Sequence, residues 1–97
     1  GLFAPVIGHV GDGNFHSTMF IDPENEAMLE KALELDHRMV QRALDMGGTC
    51  TGEHGIGLGK LKHMRHEHGD GAVEVMKAIK AALDPQNIMN PGKVVDC

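Results

Sequence analysis

From Met28 to Met46 apolar residues recur at three- and four-residue steps: Met28, Ala32, Leu35, Met39, Ala43 and Met46. That is the period of one buried helical face, and Leu29, Leu33, Val40 and Leu44 widen the stripe. Upstream, Asp22 is a favoured N-cap, Pro23 suits the first helical position, and Glu24 and Glu26 complement the positive end of the helix dipole. Downstream, Gly47-Gly48 offers the left-handed residue that closes a helix at little cost. The pattern predicts one long amphipathic helix, with the rest of the chain divided into short elements on either side.

Before that helix, Pro5–Val10 and Phe15–Ile21 are short apolar runs rich in β-branched residues, separated by Gly11-Asp12-Gly13-Asn14. Four turn-forming residues between two such runs predict a β-hairpin with its loop at 11–14. After the helix, Thr49-Cys50-Thr51 leans toward a short strand or extended segment. Gly52–Gly59 then packs four glycines into eight residues. Lys60–His68 predicts about two helical turns with Leu61 and Met64 on one face, and Gly69-Asp70-Gly71 interrupts them. A second amphipathic helix is expected over Ala72–Leu83, carried by Val75, Met76, Ile79 and Leu83. Asp84-Pro85 stops it, and Asn90-Pro91-Gly92-Lys93 forms a turn before Val94-Val95. The order β-β-α-(β)-α-α is an α+β arrangement, an N-terminal β-hairpin followed by helices.

The chain has 97 residues, 41% of them apolar and 24% charged, a globular composition that bounds it to one small domain or a piece of a larger one. A domain near this size buries only roughly 60–65% of its unfolded surface. Three Phe, no Tyr and no Trp thin the margin further, so the seven Met must fill much of the core. Nine basic against fourteen acidic residues give a formal charge of −5, which argues against nucleic acid and anionic membranes as partners. No apolar run approaches the ~20 residues of a transmembrane helix, and no signal-peptide pattern opens the chain. Cys50 and Cys97 lack the spacing of a disulfide framework, so a reducing, cytoplasmic setting is expected.

Two constellations could carry chemistry. In His9-Val10-Gly11-Asp12-Gly13-Asn14-Phe15-His16, a loop at 11–14 would set Val10 opposite Phe15 and His9 opposite His16. Opposed residues on one hairpin face have Cβ atoms roughly 4.5–5.5 Å apart, close enough for two imidazoles to converge on one divalent ion. The plainer alternative is two histidines that merely flank a turn. In Gly52-Glu53-His54-Gly55, a carboxylate and an imidazole sit between glycines that let a backbone approach a ligand. With His9 and His16, Glu53 could complete a set of two imidazoles and one carboxylate with an open coordination position. Adjacent residues of an extended stretch point to opposite sides, so His54 would serve better in proton transfer to a bound substrate. The plainer alternative here is a solvated loop. His63, His66 and His68 read as a solvated helix face, His37 as surface, and Asp12 as a turn residue. GIGLGK has neither the spacing of a phosphate loop nor that of a dinucleotide fingerprint.

Taken in order, Gly8-His9-Val10-Gly11-Asp12-Gly13-Asn14-Phe15-His16, Gly52-Glu53-His54-Gly55-Ile56-Gly57, Asp84-Pro85 and Asn90-Pro91-Gly92-Lys93 resemble the C-terminal end of the FAD-linked 2-hydroxy-acid dehydrogenases. That family includes D-lactate dehydrogenase, D-2-hydroxyglutarate dehydrogenase and the glycolate oxidase FAD-binding subunit, within the vanillyl-alcohol-oxidase superfamily. The resemblance runs from Gly8 to Val95 and implies the C-terminal part of a cap (substrate) domain. It also implies that His9, His16 and Glu53 hold a divalent metal, zinc first, with iron or manganese as alternatives. The metal would bind the hydroxyl and carboxylate of a D-2-hydroxy acid. His54 would be the base that removes the hydroxyl proton as hydride passes to FAD. Asn14 would lie near flavin and substrate, and Asn90 would belong to a segment returning toward the flavin domain.

Members of that family are several hundred residues long, with the FAD-binding domain N-terminal to everything here. Residues 1–97 are therefore expected to be a partial domain whose flavin is held elsewhere, by an absent domain or a partner chain. No redox turnover is expected of it alone. Apolar surface left bare should favour self-association into a homo-oligomer or pairing with that partner. A cytoplasmic location is expected, with peripheral contact to an inner membrane through the parent enzyme. Two other outcomes stand beside this one: a metal-binding or interaction module that pairs with a flavin-bearing chain, and an inactive oligomerising remnant.

Overall fold

Gly8 and Gly13 set the geometry of the first element in a computed structural model that describes all residues 1–97. Strand β1 (Val6–His9) pairs antiparallel with β2 (Asn14–Ser17), in the register Val6↔Ser17, Ile7↔His16, Gly8↔Phe15 and His9↔Asn14. A 3₁₀ turn over Val10–Asp12 joins them, closed by Gly13 at φ 75, whose N–H donates to the Val10 carbonyl at 3.0 Å. The loop is thus 10–13, one residue earlier than the turn residues alone suggested. A helical turn of this kind must end in a left-handed residue; Gly13 is the one that takes it, which makes Asn14 the first residue of the returning strand. Beyond the ladder, a bridge pairs Phe3 with Phe20, whose rings stack tilted at 5.5 Å.

Helix α1 runs Glu26–Asp45, starting three residues later than an Asp22 cap predicts. Asp22 instead makes a turn: its carboxylate accepts the Glu24 N–H at 3.0 Å and its carbonyl accepts the Asn25 N–H. Asn25 is the cap, accepting the Met28 N–H on its side chain at 3.1 Å. The predicted stop is observed. Gly47 lies at φ 80, the Gly47 N–H reaches the Leu44 carbonyl, and the Gly48 N–H reaches the Ala43 carbonyl, which is the Schellman pattern. Ala32 and Val40 are buried, with Met28, Leu35, Met39, Ala43 and Leu44 half-buried. Leu29, Leu33 and Met46 are exposed, so the stripe is narrower than the sequence pattern implied.

The backbone divides into two compact units, Gly1–Gly48 and Thr49–Cys97. In the second, Thr49–Thr51 forms no strand, although Cys50 is buried. A 3₁₀ turn at Leu61–His63 leads into α2 (Met64–His68), and Gly69 at φ 80 turns the chain into α3 (Asp70–Leu83). Helix α2 packs on α3. The buried residues are Cys50, His63, Met64, Val73, Asp84 and Val95. His63 therefore departs from the solvated helix face expected of the histidine cluster.

Helix α3 begins two residues earlier than expected and buries a different face. Val73 is fully enclosed and Met76 half-buried, while Val75, Ile79 and Leu83 are 59%, 55% and 78% exposed. No helix is long and apolar enough to cross a membrane. Replacing Gly47 by Ala forces a Cβ into a left-handed conformation without meeting any atom within 4 Å. The expected cost is about 1–2 kcal/mol of stability, read as a lower urea midpoint at unchanged slope.

Candidate functional site

Because side chains alternate across a strand, the register places Ile7, His9, Asn14 and His16 on one face of the hairpin. His9 faces Asn14 directly and His16 diagonally, not His16 directly as the 11–14 loop would have had it. The two registers differ by two residues on the partner strand, and a two-residue slip keeps every side chain on its own face. Diagonal neighbours lie about 7–8 Å apart, a span that two imidazoles can still bridge through one ion. The Asn14 Oδ1 is buried and accepts no hydrogen bond. A buried carbonyl oxygen without a donor is costly, and an N–H, O–H or cation placed on this face would satisfy it.

Gly8 makes the hairpin this tight. It sits at φ 150, and a Cβ there would lie 2.7 Å from both the Asn14 carbonyl oxygen and the Phe15 Cα. Both are backbone atoms, so no side-chain movement could relieve the contact.

In the second unit, Glu53 and His54 are the central residues of a turn closed by the Gly55 N–H on the Gly52 carbonyl at 3.3 Å. The Thr51 hydroxyl donates to the Gly55 carbonyl at 2.8 Å and ties the turn to the residue before it. Turn geometry replaces the extended geometry expected here, so Glu53 and His54 do not point apart. The Glu53 Oε1 and His54 Nε2 lie 4.0 Å from each other, with the His54 side chain 76% exposed. The carboxylate and the imidazole thus form one accessible pair, able to grip a cation and to accept a proton beside it.

Asn90 lies in a separate loop at φ 47, beyond the end of α3. The Lys93 N–H donates to the Asn90 carbonyl, with Pro91 second and Gly92 third at φ 71, the residue placement of a type II turn. That loop hangs from Asp84. Its carboxylate accepts the Ile88 N–H at 3.1 Å, the Met89 N–H at 2.9 Å and the Lys80 ammonium, while Lys80 also donates to the Met89 carbonyl at 2.6 Å. Lys80 first, then the two N–H groups, hold the Asp84 carboxyl below the usual range despite its burial.

Two carboxylates that shape these loops were not singled out from the sequence. Asp84 reads as a helix stop and as part of a family motif but not as an anchor, although Lys80 stands four residues before it, the spacing of a helical ion pair. Glu67 lies among the histidines His63, His66 and His68 that read as a solvated face, although it follows Met64 by three residues and so shares its inward face. Its carboxylate accepts the Cys50 N–H at 3.0 Å.

The chain matches the family described as FAD linked oxidases, C-terminal domain, over residues 2–94, and it belongs to that family. It is 54% identical over 95 residues to the probable mitochondrial D-lactate dehydrogenase of Danio rerio, covering 98% of this chain and 19% of the relative. It is 52% identical over 94 residues to the mitochondrial D-lactate dehydrogenase (cytochrome) of Arabidopsis thaliana, covering 97% and 17%. With the glycolate oxidase subunit GlcD of Bacillus subtilis (strain 168) the identity is 41% over 87 residues, covering 90% and 18%. The chain thus spans less than a fifth of the length of these relatives.

Gly8→Ala should open the hairpin, at a cost of about 1–3 kcal/mol, read as loss of amide protection in β1 and β2. Asp84→Asn should flatten the acid limb of the stability curve. With the native pKa depressed, the carboxylate's contribution is complete above the ordinary Asp value of about 3.9 and is lost as pH falls through the native value. Stability followed from pH 6 to pH 2 should therefore fall less steeply in the variant.

Proposed function

We propose that this chain is the metal- and substrate-binding C-terminal region of an FAD-dependent dehydrogenase that oxidises a D-2-hydroxy acid to the 2-oxo acid. The observation that carries the reading is the hairpin face of His9, Asn14 and His16 around a buried, undonated Asn14 oxygen. The Glu53–His54 pair supports it, as do the names of the relatives, D-lactate dehydrogenase and glycolate oxidase subunit.

His9 and His16 supply imidazole nitrogens and Glu53 a carboxylate oxygen, a donor set suited to zinc, with iron or manganese as alternatives. When bound, such an ion supplies Lewis acidity that lowers the substrate hydroxyl pKa, and FAD supplies the acceptor for the hydride. His54 takes the hydroxyl proton; its exposure leaves the imidazole open to substrate. Glu53 stands beside it, its Oε1 4.0 Å from the imidazole Nε2. Asn14 offers its carbonyl oxygen to a donor on the substrate or flavin, and Asn90 faces the same task from the Asp84-anchored loop.

FAD is held mainly by a part of the parent outside residues 1–97, so the isolated chain should not turn over substrate. The exposed row Val75, Ile79 and Leu83 supports association, with the flavin-bearing part of the parent as occupant; a second copy would register as a dimer in a size measurement. A module that pairs with a separate flavin-bearing chain fits the same surface. Two free cysteines, Cys50 and Cys97, fit a reducing compartment, the cytoplasm or, as for the mitochondrial relatives, the mitochondrion.

In the full-length parent, His16→Ala should lose the metal, measured by elemental analysis. His54→Ala should keep it while kcat falls by about 10²–10⁴. An unchanged metal load in His16→Ala would refute ligation, and retained activity in His54→Ala would remove the base.

A further inference from the structure

We propose that Glu67 is a positioning residue for the Glu53–His54 turn, acting through the Thr49 hydroxyl and the Cys50 backbone; the inference rests on the functional reading above. The Glu67 side chain is only 11% exposed, an unusual place for a carboxylate. Its burial disfavours the charge, yet donors from the Thr49 hydroxyl, the Cys50 thiol and the Cys50 N–H outweigh that cost and keep its pKa below the usual range. Of its two oxygens, Oε2 takes the Cys50 N–H at 3.0 Å and Oε1 lies 3.9 Å from the His68 Nε2.

A continuous series of contacts runs from there to the chemistry. Cys50 is followed by Thr51, whose hydroxyl donates to Gly55, and Gly55 closes the turn over Glu53 and His54. On the other side, the Val94 N–H donates to the Gly57 carbonyl at 2.9 Å. Val94 holds φ 68 to do so, a conformation rare for a β-branched residue. Neither Glu53 nor His54 lies on a helix or strand, and glycines stand on both sides of the pair. A ligand pair on such a loop keeps its aim only if the loop is tied at both ends. Glu67, rooted in α2, is the upstream tie.

The test uses the full-length parent with Glu67→Ala, Glu67→Gln and, as a control, Val73→Ala. Val73 is fully buried in the same unit and takes part in none of these hydrogen bonds. Two quantities are measured: the zinc dissociation constant by chelator competition, and amide exchange at Gly55. Glu67→Ala should weaken zinc by about 10–100-fold, the usual loss when a supporting group is removed, and should expose the Gly55 amide. Glu67→Gln keeps an acceptor for the Cys50 N–H and should restore both to within about threefold of wild type, a smaller loss than the removal of such a group. Val73→Ala should lower the melting temperature while leaving both unchanged. Wild-type zinc affinity in Glu67→Ala, or an equal loss in Val73→Ala, would overturn the proposal. A wild-type parent that binds no zinc would instead sink the functional reading; Gly55 exchange would then decide the positioning role alone.

Discussion

Where α3 stops, one carboxylate meets two successive backbone N–H groups and an ammonium, and the course of the last ten residues depends on that meeting. Asp84 is nearly inaccessible to water, so none of these donors has to compete with solvent for it. With Ile88 and Met89 fixed, the Asn90–Lys93 turn follows, and the tail returns so that Val94 reaches Gly57 and Val95 is buried. Glu67 does comparable work at the other end of the unit. The buried apolar side chains there are few and mostly small, so the fold draws on saturated polar anchors where a larger domain would rely on area.

The long helix was legible because period, cap and stop agree along a stretch where tertiary contacts have little to decide. Its end at Gly47-Gly48 was readable to the residue. Its start was not, because Asp22 and Asn25 are both good caps and only the Asp22 turn, a three-dimensional feature, selects the second. The hairpin's existence was plain, but its register turned on which of two nearby glycines adopts a left-handed angle. The face of α3 was misread for a related reason: amphipathic patterning identifies apolar stripes but not which neighbour covers them. Val75, Ile79 and Leu83 form a good stripe, and Val73 is the residue enclosed.

The candidate site divides along the same line. Glu53 and His54 stood out because they lie between glycines, where a packing role is hard to assign, and His9 and His16 because they flank a hairpin turn, whereas Asn14 and Asn90 came only with the family resemblance. The groups that hold those loops, Glu67, Asp84 and Lys80, lie on helices among ordinary charged residues. Nothing in their local sequence separates them from a solvated face except helical spacing to a buried neighbour. Glycine-rich loops give reactive side chains access to ligands but little stiffness, and carboxylates donated from neighbouring helices supply what the loops lack.

Burial and the neighbouring Glu67 carboxylate push the Cys50 thiol up to about 11. At neutral pH it is a protonated, enclosed sulfur, poorly nucleophilic and out of reach of alkylating reagents. Cys97 is exposed. Within residues 1–97 a maleimide dye would therefore react at Cys97, two residues past buried Val95, and spare Cys50. Of the two thiols in residues 1–97, the reactive one sits on the tail that closes over the glycine-rich loop.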